Sequence, residues 1–256
     1  MSEFITCEHH QGVAHIGLNR PEKLNALSAE MLTQLLNTLL ELDADKFTRA
    51  VVISGSPRAF AAGADTGTLA TASAIALYTS GFSENWDRIA AMNTPIVAAL
   101  SGYALGGGLE LALLCDIVIA DETAIFGLPE TQIGIIPGAG GTQRLVKAVG
   151  KSLAMEMILA GRKLNADEAL SFGLISRITA PDQLINQALK IAQNICRASP
   201  LANMMAKRAV LASFDMSLTA GVSYERSLSA LIAASEDRNE GMRALSAKEQ
   251  GKFTGD

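Results

Sequence analysis

The sequence predicts an α/β core followed by a helical C-terminal region. Apolar strand-like runs, glycine turns and helical segments recur along roughly the first 180 residues, with variable spacing and no fixed repeat period. Beyond about Ala180 the strand-like runs disappear, and the pattern favours the helices Asp182–Arg197, Leu201–Ser213, Ser217–Ser235 and Asn239–Ala247. We therefore expect a boundary near Ser199-Pro200, with a core over residues 1–198 and a helical region over residues 199–256. The apolar positions of this helical region fit ordinary core packing and an oligomerisation interface equally well.

The N-terminal elements follow from alternation and capping. Phe4–Cys7 and Val13–Leu18 have the pattern of short strands, and the second ends at the turn Asn19-Arg20-Pro21. Ser28 can cap a helix whose apolar residues recur at helical spacing, namely Met31, Leu32, Leu35, Leu36, Leu39 and Leu40. Ala50–Ser54 is then a strand.

The middle of the chain continues the same alternation. Residues 60–65 are small and turn-like, and a helix is predicted through Trp86 to about Met92. Gly102 then turns the chain. The elements predicted around and after it are the strand Ile96–Leu100, the helix Leu109–Leu114, the strand Ile117–Ala120 and the helix Thr142–Val149.

Composition excludes several classes of protein. Of the 256 residues, 49% are hydrophobic and 18% are charged, which argues against disorder. The formal net charge is −5 and the basic residues are scattered, so we expect neither a nucleic-acid partner nor a membrane partner. The start of the chain resembles neither a signal nor a transit peptide. Cys7, Cys115 and Cys196 lie far apart, which suggests no disulfide framework and fits a reducing cytoplasm.

The histidines limit the possible chemistry. All three, His9, His10 and His15, lie in the first fifteen residues. A Ser-His-Asp hydrolase or a histidine-rich metal centre is therefore hard to build, and we expect no metal site. Carboxylates are left as the proton-handling groups.

A glycine run and two glutamates form the strongest functional signal. Residues 106–108 are glycines followed closely by Glu110, and Glu130 closes a second glycine-containing segment. Glycines that open a helix expose backbone N–H groups at the positive end of its dipole, which suits an oxygen that becomes negative during reaction. Two nearby glutamates add acid and base capacity. Taken alone, the glycine run fits equally well a tight helix–strand junction.

A second glycine-rich segment, residues 138–143, invites a dinucleotide-binding interpretation. Gln143 occupies the place of the third glycine, and the segment is not part of a first βαβ unit. No Gly-Lys-Ser/Thr sequence follows, as a phosphate loop would require. We interpret the segment as a tight turn into a helix.

Five motifs in order, with matching spacing, identify a resemblance. The chain is similar to the enoyl-CoA hydratase (crotonase) family through Asn19-Arg20-Pro21, residues 59–65, residues 102–110, residues 126–130 and residues 136–144. The similarity extends over nearly the whole chain, including residues 236–242.

The resemblance implies a crotonase-like spiral of ββα units, with two roughly perpendicular sheets and a helical C-terminal trimerisation region. It implies a homo-oligomer, a trimer or a hexamer, and acyl-CoA thioester substrates, with no cofactor because CoA is part of the substrate. By motif, the amides of Ala64 and Gly107 form an oxyanion hole. Glu110 activates water and Glu130 protonates Cα. The contacts to substrate and CoA fall on Arg58, Ala62, Asp65, Thr66, Gly67 and Lys248.

These features predict an enoyl-CoA hydratase of fatty-acid β-oxidation or aromatic-acid degradation. An isomerase of the same fold and a non-catalytic acyl-CoA-binding subunit are the alternatives. The family often has a bulky aliphatic residue and then a lysine where this chain has Thr66 and Gly67. A phosphate contact is therefore absent there or supplied elsewhere, and acyl chain length stays open.

Overall fold

The computed structural model describes residues 4–65 and 82–256. Its strands are β1 (Ile5–His10), β2 (Val13–Leu18), β3 (Ala50–Ser54), β4 (Ala59–Ala61), β5 (Ile96–Leu100), β6 (Tyr103–Leu105), β7 (Ile117–Asp121), β8 (Ile125–Gly127), β9 (Leu164–Asn165) and β10 (Arg177–Thr179). Its α-helices are α1 (Ala29–Ala44), α2 (Phe82–Ala90), α3 (Gly107–Leu114), α4 (Gly141–Val149), α5 (Lys151–Leu159), α6 (Ala166–Ser171), α7 (Leu184–Cys196), α8 (Pro200–Ala212), α9 (Leu218–Ile232) and α10 (Glu236–Ala247).

The larger sheet has the strand order β1-β2-β3-β5-β7-β10. β1 and β2 form an antiparallel hairpin, and the other neighbours are parallel. Every residue of β3 and β5 is buried, as expected for parallel strands covered on both faces. Alternate residues of β3 face opposite sides: Val51 packs in one cluster with the apolar stripe of α1, and Val52 in the other with the buried face of α7.

The smaller sheet has the order β4-β6-β8-β9 and is built from strands of two or three residues. Along the chain, β4, β6 and β8 each follow a strand of the larger sheet, and helices follow them, so that two strands and a helix recur. The predicted ββα repeat and the two sheets are therefore confirmed. The short strands bring the ends of β4, β6 and β8 side by side.

Several predicted elements differ in detail. The segment predicted as a turn over residues 60–65 begins inside β4, which ends at Ala61. The helix predicted from Leu109 begins two residues earlier at Gly107, directly after Gly106, whose positive φ ends the preceding extended segment. The helix predicted to reach Met92 ends at Ala90, and the residues just before Phe82 lie outside the described part of the chain.

The four predicted C-terminal helices are present as α7 to α10. Ser199 caps α8 by accepting a hydrogen bond from the Ala202 N–H at 3.1 Å, and its hydroxyl donates to the buried carboxylate of Asp237 at 2.6 Å. Lys207 of α8 forms a 2.8 Å ion pair with Asp116, which fixes this helix to the core. The division at residue 199 stays a prediction. None of the helices in the described ranges combines the length and hydropathy needed to cross a lipid bilayer.

Candidate active site

The start of α3 lies directly against the end of β4. A methyl group on Gly108 would lie 2.0 Å from the carbonyl oxygen of Ala61, so only glycine permits this approach. Gly106, which precedes the helix, has a φ of +52°, a value that also favours glycine. The glycine run therefore serves to bring a helix N-terminus onto the short sheet.

This approach places the Gly107 and Ala64 amides next to each other. Gly107 is the first residue of α3, so its N–H has no acceptor within the helix. Ala64 forms a parallel bridge with Leu27, in which Leu27 bonds to the residues on either side of Ala64 and leaves the Ala64 N–H pointing away. A methyl group on Gly107 would lie 3.5 Å from the Ala64 nitrogen.

The two amides are positioned to share one acceptor. Within residues 4–65 and 82–256, neither the Ala64 N–H nor the Gly107 N–H donates a hydrogen bond. Two converging donors at a helix N-terminus stabilise an oxygen on which negative charge develops. This geometry would suit an oxyanion hole, the role that the family motif implies for these two amides.

Glu110 lies in the first turn of α3 and is 4% exposed. Its Oε1 accepts hydrogen bonds from the N–H groups of Ala139 and Gly141, each at 2.8 Å. Burial raises the pKa of this carboxyl, while the two amides and the positive charge of Arg144 oppose the rise. These contacts favour the carboxylate form and hold it in one orientation.

Glu130 follows β8 and begins a short 3₁₀ turn. Its Oε1 lies 3.0 Å from the position that a methyl group on Gly106 would occupy, which places this carboxyl at the mouth of the glycine run. Its Oε2 is buried and makes no hydrogen bond with the described residues. Burial, with a smaller contribution from the negative charge of Glu110, raises the pKa of Glu130 to about 7.

The two glutamates therefore differ in environment. Glu110 is held by amide donors, whereas Glu130 has an oxygen without a partner among the described residues and a pKa close to neutrality. Such a pair suits a reaction that needs one proton acceptor and one proton donor beside a developing oxyanion. The structure thus brings together the four residues predicted to carry the chemistry.

The predicted substrate contacts lie in different places. Ala62 is half-buried, and its N–H donates to the Leu24 carbonyl at 3.0 Å. The carboxylate of Asp65, predicted as a substrate contact, forms a 2.7 Å ion pair with Arg20. Thr66 and Gly67 lie outside the described residues.

The two predicted cations are exposed and separate from the glutamates. Arg58 precedes β4, and its carbonyl accepts the Tyr103 N–H at 3.1 Å. Lys248 follows α10 with a φ of +56°. In the described part of the chain, no hydrogen bond or ion pair joins either side chain to Glu110 or Glu130.

Sequence reasoning missed the residues that hold Glu110. The segment 138–143 was predicted as a turn into a helix, which is correct, although the helix begins at Gly141 and not at Thr142. A methyl group on Gly141 would lie 2.9 Å from Oε1 of Glu110, so glycine allows its amide to reach the carboxylate. Arg144 donates to the Ala139 carbonyl at 3.0 Å and braces the same loop. A second glycine-rich helix start was the signal that could have indicated this role.

Comparisons with known proteins agree with this geometry. A family model described as enoyl-CoA hydratase/isomerase matches residues 8–256. The chain is 46% identical over 255 residues to a 2,3-dehydroadipyl-CoA hydratase of Escherichia coli, covering 100% of both chains. It is also 46% identical over 251 residues to a probable enoyl-CoA hydratase of Rhizobium meliloti, covering 98% of each.

Solved structures give the same result. A crystal structure of an enoyl-CoA hydratase subunit from Geobacillus kaustophilus superposes with a TM-score of 0.95 at 38% identity, covering 99% of both chains. An enoyl-CoA hydratase from Bacillus anthracis gives a TM-score of 0.95 at 34% identity, covering 99% of this chain and 100% of that one.

Proposed function

Because the chain belongs to the enoyl-CoA hydratase/isomerase family, we infer that it is an enoyl-CoA hydratase, a hydro-lyase. It adds water across the 2-trans double bond of an enoyl-CoA thioester and forms a 3-hydroxyacyl-CoA, in β-oxidation or a related degradation. The observation that supports hydration most strongly is the presence of two buried glutamates, in unlike environments, beside two amides that donate no hydrogen bond to the described residues.

The amides of Ala64 and Gly107 are proposed to bind the thioester carbonyl oxygen. Conjugation makes Cβ of a 2-enoyl thioester electrophilic, and attack by water moves electrons onto that oxygen to give an enolate. Each preorganised donor in such a site contributes about 3 kcal/mol to transition-state stability. Because both donors are backbone groups, held by the bridge to Leu27 and by α3, they need little reorganisation during the reaction.

Glu110 and Glu130 are proposed to move the protons. The Glu110 carboxylate accepts a proton from water as its oxygen bonds to Cβ, and the Glu130 carboxylic acid gives its proton to Cα as the enolate collapses. One water is consumed, and the two glutamates end with their protonation states exchanged. Proton exchange with solvent then restores them. The raised pKa of Glu130 and the amide bonds to Glu110 support this assignment over the reverse.

We propose that the reaction needs no cofactor besides the CoA of the substrate. The amides supply electrophilic stabilisation and the glutamates supply both proton transfers, so every step of hydration has a protein group. Dialysis against a chelator should leave turnover unchanged. If turnover were lost on dialysis and recovered when a divalent cation was added, this proposal would be contradicted.

Arg58, Ala62 and Lys248 are proposed contacts of the substrate and its CoA group. The exposed side chains of Arg58 and Lys248 are free to meet phosphates. Screened phosphate contacts are worth about 1 kcal/mol each, so Lys248→Ala should raise KM for crotonyl-CoA several-fold at low salt with kcat nearly unchanged. Crotonyl-pantetheine lacks the nucleotide and should show no such effect. Equal changes on both substrates would assign Lys248 to the fold or the assembly.

The C-terminal helices are proposed to form a homo-oligomer, a trimer or a hexamer. Large apolar side chains are exposed on α8, α9 and α10 and the turn between α8 and α9, namely Val210, Leu211, Phe214, Met216, Leu218, Leu231, Met242 and Leu245. Light scattering should give the mass of three or six chains. A fully active monomer at micromolar concentration would contradict this.

The three unpaired cysteines and the bacterial relatives support a cytoplasmic location, which we also propose.

The deciding experiment follows the 2-enoyl thioester absorbance of crotonyl-CoA on addition of the purified protein. We expect this absorbance to fall as the double bond is hydrated, and chromatography to show 3-hydroxybutyryl-CoA. A stable absorbance would indicate a binding protein, and a migrated double bond without added water would indicate an isomerase.

A further inference from the structure

The Asn19-Arg20-Pro21 motif belongs to a turn that has no part in the proton transfers. We call residues 19–27 the bracing turn. Its ends are tied together, because the Arg20 N–H donates to the side-chain oxygen of Asn25 at 2.8 Å and the Asn25 N–H donates to the Arg20 carbonyl at 2.9 Å. Leu24 and Asn25 both have positive φ values, +51° and +54°, so this conformation is held against its local cost.

Asn25 attaches the bracing turn to the edge of the smaller sheet. The asparagine is fully buried, and its Nδ2 donates to the carbonyls of Ala59 and Phe60 at 3.0 and 3.1 Å. Ala59 and Phe60 belong to β4, which pairs on its other side with β6. The side chain of Asn25 thus takes the place of a neighbouring strand.

A ladder of backbone hydrogen bonds then joins the bracing turn to residues 62–65. The Ala62 N–H donates to the Leu24 carbonyl at 3.0 Å, and the Leu27 N–H donates to the Gly63 carbonyl at 2.8 Å. The Asp65 N–H donates back to the Leu27 carbonyl at 3.0 Å. These bonds hold one side of residues 62–65. The direction of the Ala64 N–H, on the other side, follows from them.

An ion pair closes the ladder directly after Ala64. Nη1 of Arg20 lies 2.7 Å from Oδ2 of Asp65, and the same nitrogen donates to the Ala26 carbonyl at 3.0 Å. The two side chains are 17% and 29% exposed, and the carboxylate of Glu22 lies 4.0 Å from Nε of Arg20. A charge-assisted bond in this half-buried setting is shorter and stronger than a bond between neutral groups.

We propose that Arg20 and Asp65 are positioning residues of the oxyanion hole, which hold the Ala64 amide towards Gly107. This inference rests on the proposed function, because it assumes that the Ala64 N–H binds the thioester carbonyl. Oxyanion donors act over a narrow range of distance, and a misplacement of about 1 Å can cost about a hundredfold in rate. An ion pair one residue from the donor is close enough to control that distance.

The test compares Arg20→Met and Asp65→Ala with wild type. For each, kcat and KM for crotonyl-CoA are measured together with the absorption band of bound cinnamoyl-CoA, whose red shift reports polarisation of the thioester carbonyl. We expect kcat to fall about 10- to 100-fold, KM to stay within about threefold, and the red shift to shrink. The double variant should lose little more than either single variant, since both break one interaction.

Two further variants keep the test decisive. Asp65→Asn retains an oxygen acceptor for Arg20 and should recover part of kcat and of the red shift relative to Asp65→Ala. Arg162→Met is the matched control, because Arg162 pairs with Glu156 and Glu168 at 2.7 and 2.6 Å beside β9, at the opposite edge of the same sheet from β4. It should leave both measurements unchanged.

The outcomes separate this inference from the proposed function. Unchanged kcat and red shift in folded Arg20→Met and Asp65→Ala would overturn the positioning role while wild type remained a hydratase. A rise in KM that disappears with crotonyl-pantetheine would also overturn it, and would make Asp65 a CoA contact. A wild-type protein that neither hydrates crotonyl-CoA nor shifts the cinnamoyl band would refute the proposed function itself.

Discussion

Replacing Glu130 by glutamine should lower turnover by roughly 10² to 10⁴ and stabilise the fold above neutral pH. The pKa of Glu130 rises from an ordinary 4.5 to about 7 because its carboxyl is buried and its Oε2 lacks a partner among the described residues. At about 1.4 kcal/mol per pH unit, this rise corresponds to a cost of up to about 3 kcal/mol in the free energy of unfolding. Glutamine has the same shape and does not ionise.

The direction of this pH dependence follows from the pKa values of Glu130 in the unfolded and in the folded chain. Below pH 4.5 the carboxyl is protonated in both the folded and the unfolded chain, so its contribution to stability is fully present. As the pH rises through about 7, the unfolded chain has already released the proton, and the folded chain then bears the cost of a buried charge. The free energy of unfolding of Glu130→Gln, minus that of wild type, should therefore increase by up to about 3 kcal/mol between pH 4 and pH 8.

Urea unfolding at pH 4, 6 and 8 measures this difference. Trp86 is the one tryptophan of the chain and is 3% exposed, so its fluorescence reports loss of the core. Turnover of crotonyl-CoA by the folded variant should fall by roughly 10² to 10⁴. Glu122→Gln, at an exposed position between β7 and β8, is the matched control and should give a difference that stays flat with pH. A flat difference for Glu130→Gln as well would refute the buried-acid reasoning.

Three more predictions concern neighbouring groups. Glu110→Gln should lower kcat by roughly 10² to 10⁴, and the double variant with Glu130→Gln should lose far less than the product of the single losses, because the pair acts as one unit. Near-normal turnover in either single variant would contradict this. Gly107→Val should lose activity while its Tm falls by only a few degrees, which corresponds to about 1 kcal/mol in the free energy of unfolding, since a methyl group at this position makes ordinary contacts. Normal hydration by this variant would show that the Gly107 amide is not a donor. Arg144→Met should raise the pKa of Glu110 further, so the acid limb of kcat/KM should move to higher pH because Glu110 must be ionised to accept a proton. An unmoved acid limb would show that Arg144 does not act on Glu110.

Three of the longer strands were predictable because their patterns are local, whereas β1 was predicted over Phe4–Cys7 and extends over Ile5–His10. Val13–Leu18, Ala50–Ser54 and Ile96–Leu100 were predicted with their observed ends, since an apolar run bounded by turns determines a buried strand. β6 and β8 were not predicted from pattern, because three residues are too few to show a period. Their pairing depends on the packing of the larger sheet. The second sheet was expected only from the family resemblance.

The candidate site also contains residues with a local sequence signal and residues whose partners are distant in the sequence. Glu110 and Glu130 were predictable because each ends a glycine-containing segment, a signal carried by adjacent residues. The partners of Glu110 lie about thirty residues away in a loop that by itself resembles an ordinary helix start. The ion pair between Asp65 and Arg20 could not be predicted, because 45 residues separate the two positions in the sequence.

In the proposed mechanism, the carbonyl-binding part of the site consists of main-chain groups, whereas its proton-transfer part consists of side chains. A side-chain substitution at position 110 or 130 therefore leaves the enolate-stabilising donors in place, because those donors belong to Ala64 and Gly107. Protein engineers can exploit this separation. Libraries that vary residues 110 and 130, while residues 63–64 and 106–108 stay fixed, should yield catalysts that still generate a thioester enolate but direct it to a different electrophile or nucleophile.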